Sequence, residues 1–142
     1  RHGPHRHRLD AGRCGIARTW LRRKPASAAD LRGLLRGGDV VASMGPMLDL
    51  NIDGMQPGDE LMPNETHTVV VGIDAATAHR PDRLRIFADG KVAHEVALPG
   101  TGALHYSEAF TVPGPVGSIF LAVDKRNDPA AFAVTGAVRS QR

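Results

Sequence analysis

The chain has 142 residues, 42% of them hydrophobic and 23% charged, with a formal net charge of +3. That is enough apolar content for one ordinary domain, or one small domain with an appendage, and it excludes a disordered polar segment. No apolar run approaches the ~20 residues that span a bilayer, and a single cysteine, Cys14, excludes an internal disulfide. The lone thiol fits a reducing compartment. No signal-peptide pattern is visible, and the opening residue is Arg1 rather than Met, so the stretch reads as a portion of something longer.

The charge is uneven. Arg1, Arg6, Arg8, Arg13, Arg18, Arg22, Arg23, Lys24, Arg32 and Arg36 crowd the start against only Asp10 and Asp30, and the remainder is net acidic. Basic segments bind nucleic acid by neutralising phosphates. Here the arginines are scattered among Gly and Pro with one aromatic, Trp20, and no nucleic-acid motif. Their simpler use is toward an acidic partner surface or solvent.

Residues 1–24 show no helical or strand period. His2, His5 and His7 lie within the first seven residues, and Gly12 and Gly15 break the region that follows. Thr19-Trp20-Leu21 reads as a short strand or a loop packed through Trp20. Ser27 stands three residues before Asp30, the spacing of a capping box with Asp in place of Glu. Leu31, Leu34 and Leu35 then form an i, i+3, i+4 stripe, and Gly37-Gly38 supplies a stop, so a helix is expected over 27–36.

Val40-Val41-Ala42 reads as a short strand and Gly45-Pro46 as a turn. Over 47–53, Leu48, Leu50 and Ile52 alternate with Asp49, Asn51 and Asp53, the pattern of a half-buried strand. Further strands are expected over 67–74, 83–89, 91–98, 104–112, 118–124 and 131–138, about seven in all. Asp89-Gly90 fits a two-residue type I′ hairpin. Seven short strands parted by Gly/Pro turns point to an immunoglobulin- or fibronectin-like sandwich, although no Cys…Trp…Cys pattern of a true immunoglobulin domain is present. The expected division is 1–46, 47–138 and a tail at 139–142.

Several motifs recur in a familiar order. They are His5-Arg6-His7-Arg8-Leu9-Asp10, Gly15-Ile16-Ala17-Arg18-Thr19-Trp20, Leu34-Leu35-Arg36-Gly37, Val40 through Leu48 with its Ser43-Met44-Gly45-Pro46 core, Asp53-Gly54 and Pro57-Gly58-Asp59. This order resembles the C-terminal part of metallohydrolases of the PHP (polymerase and histidinol phosphatase) superfamily, in the branch that includes carbaryl-hydrolase-like enzymes. The likeness covers about residues 5–60, and beyond that it is only a strand pattern. It implies that residues 1–46 are the last elements of a β/α barrel and that a β-sandwich follows. It also implies a parent that hydrolyses a phosphoester, ester or carbamate with zinc or manganese.

His7 falls at the histidine of the family's Asp-x-His motif, and His5 stands in place of its aspartate. On a strand end an i, i+2 pair projects to one side, as two ligands of one metal must. The competing reading is a basic, histidine-rich tail with no ligand role. No histidine-x-histidine barrel strand or later Glu and His ligands are present, so this chain alone is expected to be catalytically silent, with the parent's barrel or another protein surface as partner. The rivals are a free-standing binding module and an oligomerisation module built on open strand edges. Sugar binding is disfavoured because most Phe residues fall on strand positions expected to be buried. His67, His79, His94 and His105 read as surface histidines, with a shared His94–His105 metal site as the alternative. Asp49, Asn51 and Asp53 read as an outward polar row rather than a calcium loop, and Cys14 as an incidental thiol.

Overall fold

A computed structural model describes residues 17–140. Ten strands and one helix run in the order β1 (Arg18–Leu21), α1 (Ala28–Gly37), β2 (Val40–Ser43), β3 (Met47–Ile52), β4 (Thr66–Ala75), β5 (Arg83–Ala88), β6 (Lys91–Ala97), β7 (Leu104–Pro113), β8 (Ser118–Lys125), β9 (Asp128–Thr135) and β10 (Val138–Arg139). All pairing between them is antiparallel. A seven-stranded sheet has the order β1-β2-β9-β8-β5-β6, with β10 added beside β8, and a three-stranded sheet has the order β3-β4-β7. No described helix is long and apolar enough to cross a membrane.

The two sheets share one core because their strands alternate with period two. In β4 the buried positions are His67, Val69, Val71, Ile73 and Ala75, and every residue between them is exposed or half-buried. Leu48, Leu50 and Ile52 from β3 join Val69, Val71 and Ile73 in one apolar cluster. From the larger sheet, Leu84, Ile86, Ile119, Leu121, Val123 and Ala133 complete it. This is the expected mainly-β architecture in its coarse form: two antiparallel sheets and one helix.

The helix begins where its cap demands. Ser27 has an extended backbone and its Oγ accepts the Asp30 N–H at 3.1 Å. Asp30 does not reach back to the Ser27 N–H as a capping box would. Its carboxylate instead takes the Ala26 N–H at 2.7 Å and pairs twice with the Arg23 guanidinium, at 2.7 and 2.6 Å. Arg23 and the Ala26 bond together hold the Asp30 carboxyl well below the usual carboxylate range. Gly38 ends the helix at φ 78°, and a Cβ on Gly136 would lie 1.8 Å from the Gly38 carbonyl oxygen. The helix stop is therefore seated directly on the β9–β10 turn.

Two expectations shift. The larger sheet draws strands from both sides of the division expected after residue 46. Val41, Ala42 and Ser43 of β2 pair with Thr135, Val134 and Ala133 of β9, and β1 pairs with β2. Local periodicity carries no trace of so distant a pairing. At the other end, Val138 and Arg139 pair with Ile119 and Ser118, so Arg139, expected in the tail, closes the sheet. The Asp89-Gly90 hairpin forms as read, with φ values of 52° and 77° that type I′ needs.

Ile86 is fully buried, whereas Leu35 on α1 is 47% exposed. Ile86→Ala is expected to cost about 2–5 kcal/mol in urea unfolding, and Leu35→Ala under about 0.5 kcal/mol.

Candidate functional site

His5 and His7, the residues expected to bind metal, lie outside the described residues, as does Cys14. Among the described residues no group of three or more His, Cys, Asp or Glu side chains could hold a metal ion.

The four described histidines are held separately. His94 on β6 donates through Nε2 to the Thr111 carbonyl of β7 at 2.7 Å, bridging the edges of the two sheets. His105 on β7 pairs with Asp74 on its neighbour β4. These two histidines occupy different sheets, and the structure brings them to no common site. His79 donates through Nδ1 to the Ala130 carbonyl at 2.8 Å, and its ring fills the space a Cβ on Gly45 would need, 2.3 Å away.

His67 is not a surface histidine. It is fully buried, and its Nδ1 donates to Asp53 Oδ2 at 2.7 Å. Asp53 does not continue the outward polar row either. It turns to φ 53° at the end of β3 and also accepts the Thr68 N–H at 2.8 Å and Asn64 Nδ2 at 3.2 Å. Asn51 caps the same turn by accepting the Gly54 N–H, which leaves Asp49 as the outward carboxylate. This knot closes the loop between β3 and β4. Burial pushes the Asp53 carboxyl up, but the Thr68, His67 and Asn64 bonds outweigh it and hold it below the ordinary carboxylate value. The signal missed in the sequence is that Asp53-Gly54 is itself a turn pair tolerant of positive φ.

Phe110 packs against the core as expected, whereas the other three Phe side chains depart from expectation. In β5, Leu84 and Ile86 face the core, which turns Arg83, Arg85 and Phe87 outward. The same alternation turns out Phe120, Ala122 and Asp124 in β8 and Phe132 and Val134 in β9. One outer row runs Glu95, Arg85, Ala122, Val134, Ala42 and Thr19 across six strands. Beside it Phe87 and Phe120 stack at 4.7 Å and 8°, next to Val92, which is 49% exposed. Phe132 is 42% exposed. Arg85 lies over the Phe87 ring at 5.4 Å. At the rim Arg83 holds Asp124 through two contacts, at 2.8 and 2.5 Å, and reaches Glu95 at 3.4 Å. Arg83 accordingly lowers the Asp124 carboxyl.

A second feature is a groove of about 220 Å³ beside β1 and β3, lined by Trp20, Arg22, Val41, Met47, Leu48 and Leu50 among others. Arg22 spans its wall, with Nε 2.8 Å from the buried Asp39 carboxylate and Nη1 3.2 Å from Asp59. Trp20 sits on the core-facing side of β1 and is 39% exposed.

No family model, no curated protein and no solved structure matches the chain.

The folded Asp53 carboxyl is depressed, so its stabilisation is complete above the unfolded carboxylate value near ~4 and is lost as pH falls through the lower folded value. Asp53→Asn is expected to cost about 1–3 kcal/mol at neutral pH in urea unfolding, with the gap to the native chain narrowing below about pH 4.

Proposed function

We propose that this region is the C-terminal accessory β-sandwich, of immunoglobulin or fibronectin type, of a metal-dependent PHP-type hydrolase, joined to the last elements of its β/α barrel. Its work is to dock, and the aromatic outer face of the larger sheet carries that reading. An antiparallel sheet with one free face normally presents polar side chains to water. Here Phe87, Phe120, Phe132, Val92 and Val134 occupy that face with a charged rim, the composition of an interaction surface. The motif likeness over 5–60 supplies the partner, a PHP-type barrel.

In the complete parent a bound divalent metal would supply a water of lowered pKa for hydrolysis of a phosphoester, ester or carbamate. Zinc sites draw on three or four protein ligands. His5 and His7 supply two imidazoles at i, i+2 spacing, and the remaining ligands would come from the barrel. A second reading, self-association through the same face, is favoured by its charges: Arg83 and Arg85 lie beside Asp124 and Glu95, which makes the rim complementary to a two-fold copy of itself.

The test is co-purification of the tagged chain with a PHP-type barrel lacking its own sandwich. Capture is expected, together with its loss in Phe132→Asp, a variant expected to fold because the ring is already 42% exposed. His5→Ala/His7→Ala should leave capture intact and lower metal-dependent hydrolysis of p-nitrophenyl phosphate by the complex. A dimer in sedimentation equilibrium that Phe132→Asp dissolves would establish the second reading instead. Ordinary enzymatic turnover by the chain alone would contradict both.

A further inference from the structure

Among the described residues β3 is an edge of the three-stranded sheet, and its register fixes which backbone groups are left over. The Asp53 N–H donates to the Thr68 carbonyl, and the pairing continues without a bulge through Asn51 with Val70, Asp49 with Gly72 and Met47 with Asp74. In an antiparallel ladder, alternate residues point both backbone groups at the same neighbour. Met47, Asp49 and Asn51 therefore face β4, and Leu48, Leu50 and Ile52 face away from it. The far side of β4 agrees: the Gly114 N–H donates to Glu65, which places His67, Val69, Val71 and Ile73 toward β7. Ile52 spends its outward groups on Met55, with N···O distances of 2.8 Å both ways. Among the described residues no backbone partner meets the N–H and C=O groups of Leu48 and Leu50, which point out of the edge.

That edge is one wall of the Trp20 groove, which takes in all four residues Met47–Leu50. The groove is also lined by Trp20, Arg22 and Val41 from the β1–β2 side. On the core side of the edge Leu48 and Leu50 are themselves buried, and apolar surface is offered there by the half-buried Val41 and by Trp20, 39% exposed, while the 42%-exposed Met47 lies on the outer side by alternation. On the outer side stands Asp49, an exposed carboxylate. Arg22 is already committed to Asp39 and Asp59, so the charge that the outer side offers to an arriving strand is negative.

From this we infer that the groove between β1 and β3 binds an extended peptide segment of another protein by strand addition to β3, a segment that alternates apolar with basic residues. Four backbone hydrogen bonds are available, two each at Leu48 and Leu50. The incoming residues opposite them turn their side chains inward over Val41 and Trp20, and the residue between, opposite Asp49, turns outward beside its carboxylate. Backbone pairing supplies the attachment, and the apolar-basic-apolar order supplies the choice. The surface differs from the aromatic outer face and requires no barrel.

Trp20 is the single tryptophan of the chain, so its fluorescence reads the groove directly. The probe is acetyl-Val-Lys-Val-Lys-Val-amide titrated into the full chain. A saturable one-to-one change with Kd below about 1 mM is expected. Methylating the Val amide nitrogens, which face β3, should abolish it, and methylating the Lys amide nitrogens, which face solvent, should not. Asp49→Lys should weaken the basic peptide about three- to thirtyfold and favour its Glu-for-Lys counterpart. Absence of saturation for the basic peptide, equal binding of the Val-methylated peptide, or a dimer of the chain that occupies the Trp20 edge in its place would overturn the inference.

Discussion

The structure depends on the mutual burial of two sheet faces. Leu50, Val71 and Ile73 on one side and Leu84, Ile86 and Leu121 on the other are each at most 1% exposed and belong to a single cluster. Neither sheet could hide its apolar face alone, since a sheet buries only what another layer covers. At roughly 25 cal/mol per Å² of apolar surface removed from water, this burial outweighs any single polar contact in the chain. With only 4% aromatic residues, the core is filled by branched aliphatics whose stiff side chains suit the pleat. Two features follow. Alternation along β5, β8 and β9 fixes which side chains face outward, and the two-layer stack leaves lateral openings between the sheets.

Those openings are treated differently. On one side the His94 imidazole bonds to the Thr111 carbonyl and lies against the Phe110 ring at 5.2 Å, which ties β6 to β7. At the far edge of the smaller sheet, a short strand, a tryptophan and an arginine ion-pair network stand beside β3, with room between them. An uncovered edge is a hazard unless it is short, charged or occupied. The run Met47–Leu50 is short and carries Asp49 on its outer face, which discourages indiscriminate pairing and admits a strand of opposite charge. The aromatic outer face is a second kind of unfinished surface: it lacks a layer rather than a strand.

Much of this was legible in the sequence. Ser27, the leucine stripe and Gly37-Gly38 mark a helix that the structure places at Ala28–Gly37. The alternation of Leu48, Leu50 and Ile52 with polar residues marks β3, and Asp89-Gly90 marks the β5–β6 hairpin, because caps, stripes and turns are local devices. The pairing of β2 with β9 was not legible, since it joins residues some ninety positions apart and no local pattern encodes it. The outward Phe residues were legible in principle: once Leu84 and Ile86 are assigned to the core, Phe87 must share the face of Arg83 and Arg85. The expectation that Phe is buried overrode the period. The Asp53–His67 bond joins residues on neighbouring strands through a left-handed turn, and only the register of β3 on β4 reveals it. The open groups of Leu48 and Leu50 follow from that same register, which sequence alone does not supply.

Amide hydrogen exchange along β3, followed residue by residue in the full chain, tests the central claim that this edge stands open. Asp49 and Asn51 donate toward β4 and should exchange slowly, with the core. Leu48 and Leu50 should exchange orders of magnitude faster despite side chains that are at most 7% exposed. Uniform protection through Met47–Leu50, or slow exchange at Leu48 and Leu50 with fast exchange at Asp49 and Asn51, would contradict the edge and the binding mode built on it.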